Sequence, residues 1–148
     1  MSARRLLAGA VVTLALAGGL TACGGGDDVV TSTDPVEVEV GKAFSWGDYT
    51  IDDGWTLEAI KRSAGGEEVT TPEVKGTITN HADEERSALF EIVFSQDGSP
   101  LATVNCSAPK MAKDQSQQFE CPGLSAIYPT GYDAVVAQEF RRDDTSAG

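Results

Sequence analysis

The chain has 148 residues and carries 23 Asp and Glu against 11 Lys and Arg, a formal net charge of −12 at pH 7. A balance this acidic excludes nucleic-acid binding through phosphate neutralisation, which needs clustered basic side chains. Cys106 and Cys121 with the one distant His, His81, do not complete a zinc centre of four protein ligands.

The N-terminus, Met1-Ser2-Ala3-Arg4-Arg5, is positively charged, and an uncharged run rich in Ala, Leu and Val follows from Leu6 to Leu20. That run has the length of a signal-peptide core and is short of the roughly 20 apolar residues that span a bilayer. It ends in Leu20-Thr21-Ala22-Cys23, which resembles the lipobox of bacterial lipoproteins. The order has a chemical reason. Small side chains let the signal peptidase approach the scissile bond, and only a thiol can take a diacylglyceryl thioether. The resemblance implies that residues 1–22 are a lipoprotein signal peptide, with Leu20, Thr21 and Ala22 as its recognition residues. Cys23 would then carry diacylglycerol and an N-acyl (palmitate-type) chain. Two or more acyl chains hold a protein on a membrane where one does not, since each buried methylene adds about 0.8 kcal/mol. The Gly24-Gly25-Gly26-Asp27-Asp28 stretch and the Thr31-Ser32-Thr33-Asp34-Pro35 stretch have little to bury. Residues 23–40 are therefore expected to be a flexible acidic tether.

Removal of residues 1–22 takes away Arg4 and Arg5 and no acid, moving the charge from −12 to −14. Anionic headgroups would repel such a domain, so the lipid must do the anchoring, and the acidity keeps an exported domain soluble. With Cys23 assigned to lipid, Cys106 and Cys121 form the one remaining pair in an oxidising compartment. A loop of about 15 residues closed by that bond is worth roughly 3 kcal/mol. The bond could join neighbouring strands or bridge two sheets.

Strand patterns fill the chain from Phe44 to Phe140. Apolar residues recur at period two in Phe44 to Ile51, Trp55 to Ala59, Val74 to Thr79 and Ala88 to Phe94, the mark of half-buried strands. Leu101 to Ser107, Ser116 to Cys121 and Tyr132 to Phe140 continue the series, with Gly, Pro, Asn and Asp between the runs. Residues 41–141 are expected to be an all-β, immunoglobulin-like antiparallel sandwich of about seven strands, close to the roughly 100 residues of that fold. Residues 142–148 read as a disordered tail. A two-residue Asp97-Gly98 turn would set Phe90 against Asn105, whereas a three-residue loop, Gln96-Asp97-Gly98, sets Phe90 against Val104, Ile92 against Ala102 and Ala88 against Cys106. A one-residue slip exchanges the faces, so the three-residue loop is the expected one, and it turns Cys106 inward.

Residues that could carry chemistry are few. His81, the only His, enters an acidic turn and reads as an exposed loop residue. Asp52-Asp53, Asp83-Glu84-Glu85 and Asp143-Asp144 lack the alternating oxygen-ligand spacing of an EF-hand loop, and solvated turn charges explain them. No serine has an identifiable base. Trp55 is expected in the core, and an exposed strip around Trp46 and Tyr49 is the candidate binding surface.

The stretch Val74-Lys75-Gly76-Thr77-Ile78-Thr79-Asn80, the acidic turn after it, the apolar strand Ala88 to Phe94, Asp97-Gly98 and Leu101-Ala102-Thr103 together resemble the FxLYD family, immunoglobulin-like domains of bacterial envelope proteins. Ser95 stands where that family usually has Tyr. Gly41 to Trp55, Cys106, Cys121, Tyr132-Asp133 and Phe140 are similar to lipoproteins of high-GC Gram-positive bacteria. The resemblance implies a sandwich on the outer face of the cell membrane and brings no catalytic residues. A non-catalytic binding module for an envelope protein or a wall component, without a cofactor, is the expected function. The alternative is an envelope hydrolase or metal-dependent enzyme, and it requires the fold to gather His81 with a Ser and an acid.

Overall fold

A computed structural model describes residues 32–124 and 126–140. Residues 1–22, Cys23, the start of the tether and residues 141–148 lie outside the described residues. Every regular element among the described residues is a strand: β1 (Val36–Glu37), β2 (Phe44–Trp46), β3 (Tyr49–Ile51), β4 (Thr56–Ala64), β5 (Glu67–Asn80), β6 (Arg86–Gln96), β7 (Ser99–Met111), β8 (Ser116–Pro122) and β9 (Ala134–Glu139). The number is nine rather than seven for two reasons. Gly47, at φ 56°, folds the Phe44–Ile51 run into a two-strand hairpin, and β1 forms inside the expected tether.

All strands join one antiparallel sheet in the order β1-β9-β6-β7-β8-β5-β3-β2, with β4 on the free length of β5 beside β3. The order β5-β8-β7-β6 is a Greek key, the connectivity used by immunoglobulin-type sandwiches. The sheet folds over its own inner face, giving an all-β sandwich close to a barrel. Strand β7 shows why: Ala102, Val104, Cys106 and Ala108 are buried, while Leu101, Thr103, Asn105 and Ser107 alternate outward. Trp55, Phe90, Phe94 and Phe119 fill the interior, with the Phe90 and Phe119 rings edge to face at 5.7 Å. Gly76 makes this packing possible, since a Cβ there would lie 2.8 Å from both the Phe119 ring and the Trp55 side chain.

The register corrects the expected loop. Gln96 pairs with Ser99, so the turn is the two-residue Asp97-Gly98, with φ 49° and 78°. Positive φ at both central residues defines the type I′ turn, whose twist matches that of the flanking strands. A bulge then follows between Ser95–Pro100 and Phe94–Ala102, inserting Leu101 as an extra residue. The bulge supplies the change of face that was expected from the loop. Phe90 accordingly pairs with Cys106, Ile92 with Val104 and Ala88 with Ala108. Each lies two residues from its expected partner, yet on the expected inner face.

The tether boundary is also corrected. Val36, Val38 and Val40 pack against the core, and β1 pairs with β9. Gly47 donates its backbone N–H to Ser32 O at 3.0 Å, and Val38 N–H donates to Val135 O at 2.9 Å. The segment from Ser32 to Val38 thus crosses from the β2 edge to the β9 edge, and the sandwich begins before residue 41. Valines at every second position explain why a stretch read as solvated folds instead.

The two ends of the sandwich differ. At one end the Gly47-Asp48 turn, the β5–β6 connection and the β7–β8 turn converge on Asn80, which is fully buried. Its Nδ2 donates to Met111 O at 2.8 Å and Glu84 O at 3.0 Å, and its Oδ1 accepts from Ala82 N–H at 3.0 Å. Its backbone N–H and C=O bond to the β7–β8 turn at Gln115 and Asp114. At the other end lie the Asp97-Gly98 turn and the β8–β9 loop.

Candidate interaction surface

The β8–β9 loop is not free. Gly123 N–H donates to Pro72 O at 2.8 Å, Ala126 N–H to Gly123 O at 3.1 Å and Tyr128 N–H to Thr70 O at 2.9 Å. Asp133 N–H donates to Ser95 O, the Asp133 carboxylate accepts from Asp97 N–H at 2.9 Å, and Tyr132 stacks edge to face on Phe94 at 5.2 Å. Gly123 is required where it stands, since a Cβ there would lie 2.6 Å from both Pro72 Cγ and Pro72 O. Gly123→Ala is expected to push the loop off β5 and cost about 2 kcal/mol, read as a lower denaturation midpoint. An unchanged midpoint would show that the loop does not need this contact.

A backbone pinned in this way holds Leu124 and Ile127 outward, 66% and 79% exposed, next to Leu101 at 40%. Leu101 is outward by the alternation of β7, in phase with Thr103 and Asn105. Two shallow depressions flank Thr103 on this face. One, of about 480 Å³, runs between Leu101 and Ile127, and the other, of about 320 Å³, lies between Asn105 and Leu124. Strand periodicity misses Leu124 and Ile127 because they lie in a Gly- and Pro-rich stretch, Pro122 to Gly131. The available signal was two large aliphatic side chains in a segment with no strand pattern to bury them.

Trp46 and Tyr49 do not form the expected exposed strip; this is a correction. Trp46 is 4% and Tyr49 8% exposed. Trp46 stacks against Phe90 at 5.7 Å, and its indole N–H finds no acceptor among the described residues. Tyr49 donates its hydroxyl to Ser87 O at 2.9 Å, and burial pushes its pKa up, so it remains a donor. Both pair with each other across the tight hairpin, which tucks their rings into the core. Trp55 is buried as expected, donating to Lys42 O at 2.7 Å.

Cys106 and Cys121 are bonded, with Cα atoms 4.3 Å apart. They face each other across β7 and β8, one step along the register in which Ser107 pairs with Glu120. The bond joins neighbouring strands at a close, non-hydrogen-bonded pair, and both sulfurs are buried in the core.

His81 is half-buried rather than exposed, its Nδ1 3.3 Å from Asp114 Oδ1. Ser116, the first residue of β8, shares its hydroxyl with Thr79 Oγ1 at 2.6 Å. The fold therefore brings His81 to an acid, but this serine is bonded elsewhere. Asp83 pairs with Lys113, whose hydrogen bond holds the Asp83 carboxyl below its usual range. Glu84 and Asp48 both hold Arg86. A further hollow of about 450 Å³ has Glu37, Glu39 and Asp133 in its wall, yet no group of three His, Cys, Asp or Glu side chains close enough to share a metal occurs among the described residues. Cys23, Leu20, Thr21 and Ala22 lie outside the described residues.

Comparisons with known protein families, with curated proteins and with solved structures find no match to this chain.

Proposed function

We propose that the chain is a lipid-anchored, extracytoplasmic interaction module of the bacterial cell envelope, an FxLYD-like domain that binds an envelope protein or wall component without catalysing a reaction. The Leu20-Thr21-Ala22-Cys23 sequence supports the anchor and the outer face of the cell membrane. The observation that carries the interaction reading is the apolar face on a pinned loop at one end of a disulfide-stapled sandwich, with the chain from Cys23 arriving at the other end, where Ser32 meets Gly47. An anchor at one end leaves the other free for a partner. No cofactor enters this reading beyond the diacylglyceryl and N-acyl groups on Cys23.

Cys23→Ala is expected to abolish metabolic acyl labelling and release a folded domain from the membrane fraction. A variant still labelled would end the anchor assignment. The binding half is tested by capture from detergent-solubilised membranes, with the lipidated chain as bait and the soluble domain as control. A partner recovered reproducibly with the bait supports a module, and an empty capture counts against a protein partner.

A further inference from the structure

The elements that build the apolar face share an unusual charge pattern. No Lys or Arg occurs between Ser87 and Pro109, nor between Asp114 and Phe140. These two stretches hold most of β6, most of β7, β8, the β8–β9 loop and β9. Their charged residues are all acids, with Asp97, Glu120 and Asp133 in the elements nearest Leu101, Leu124 and Ile127. The basic side chains of the described residues lie in other segments, Lys75 standing opposite Glu120 across β5 and β8, and several are already paired. Lys75 bonds Glu73 and Glu58 at 2.6 and 3.3 Å, which raises its pKa. Lys61 bonds Glu68, and Arg62 bonds Glu73.

Apolar side chains exposed by a loose loop would carry no meaning. Here two backbone hydrogen bonds to β5, from Gly123 and Tyr128, and the glycine-only contact at Pro72 hold the described residues of the loop in place, which lowers the cost of ordering them on binding. Exposed aliphatic side chains clustered on a fixed frame mark an interaction site. An acidic surround selects for a partner of opposite charge, which steers encounter and rejects acidic surfaces.

We propose that Leu101, Leu124 and Ile127 form the docking face for a protein segment that presents aliphatic or aromatic side chains flanked by Lys or Arg. This rests on the interaction-module reading and adds to it the surface and the chemistry of the partner. A second copy of this chain is a poor occupant, because it would bring the same acidic surround to the contact. A bilayer of anionic lipid is repelled for the same reason.

The test is site-directed photo-crosslinking of the full-length chain in lipidating bacterial cells, with a photoreactive phenylalanine analogue placed in turn at the positions of Leu124, Ile127, Leu89, Ser63 and Ser116. All five sites lie on the surface, and the two patch positions report independently if one substitution harms folding. The expected result is a heterologous protein adduct from the Leu124 and Ile127 positions only. Mass spectrometry should place it on a peptide with apolar residues next to Lys or Arg. With the probe at the Ile127 position, Leu124→Asp should reduce the adduct about tenfold, the loss expected for one buried aliphatic contact. An adduct of twice the chain's mass, a lipid adduct, or a crosslinked peptide without basic residues overturns the proposal. Adducts only from Leu89, Ser63 or Ser116 overturn the surface but leave the interaction module standing. No adduct from any of the five positions overturns the surface and counts against the module as well.

Discussion

Asn80→Ala is expected to lower the stability of the domain by about 3 kcal/mol, because it leaves three backbone groups without their partner, two of them on buried residues, at roughly 1–3 kcal/mol for each buried one. The groups are Met111 O and Glu84 O, which lose the Nδ2 donors, and Ala82 N–H, which loses the Oδ1 acceptor. Asn80 is fully buried, so water cannot replace the side chain without opening that end of the sandwich. Asn80→Asp separates the two halves of the effect. It keeps the acceptor for Ala82 but sets a carboxylate oxygen against two carbonyls, and at neutral pH it should be at least as destabilising. Denaturant titration checks both variants, with a lower midpoint at an unchanged slope. A loss under about 1 kcal/mol for Asn80→Ala would mean that these bonds are made and broken at little net cost.

Loss of the Cys106–Cys121 bond is the second large effect, about 3 kcal/mol from the chain entropy of the 15-residue separation it closes. For a domain of this size that lowers the melting temperature by roughly 10–20 °C. Both sulfurs are buried, so reductant added to the folded protein should act only at the rate of opening. The clean comparison is the Cys106→Ala/Cys121→Ala double variant, or protein reduced while unfolded and then refolded. An unchanged melting temperature in both samples would deny the bond any part in stability.

Alternation made the strands legible. The inward face of β7 follows from Ala102, Val104 and Cys106 at period two, and the inward partner Cys121 follows from the parity it shares with Phe119. What alternation could not fix was the exact pairing. The turn and the bulge each shift the register, and only their sum decides which side chains meet, so faces were readable where partners were not. Trp46 and Tyr49 were misplaced for a related reason. A hairpin built on Gly47 at φ 56° returns the chain within a few residues, and no run is long enough there to reveal which face is inward. The Leu124 and Ile127 face was hidden because exposure in a loop depends on contacts distant in sequence, here Pro72 and Thr70.

The strap from Ser32 to Val38 has a mechanical consequence. A chain anchored ahead of Ser32 and gripped at the Leu124–Ile127 face would be pulled along the strand axes rather than across them. Val36 and Glu37 pair with Ala137 and Val136 of β9, which is in turn zipped to β6 from Phe90 to Ser95. Tension at Ser32 would therefore load these bonds in shear, all at once, whereas a pull across the sheet would unzip them one by one. The domain would bear a taut connection between a membrane and a bound partner better than a sideways tug of equal force.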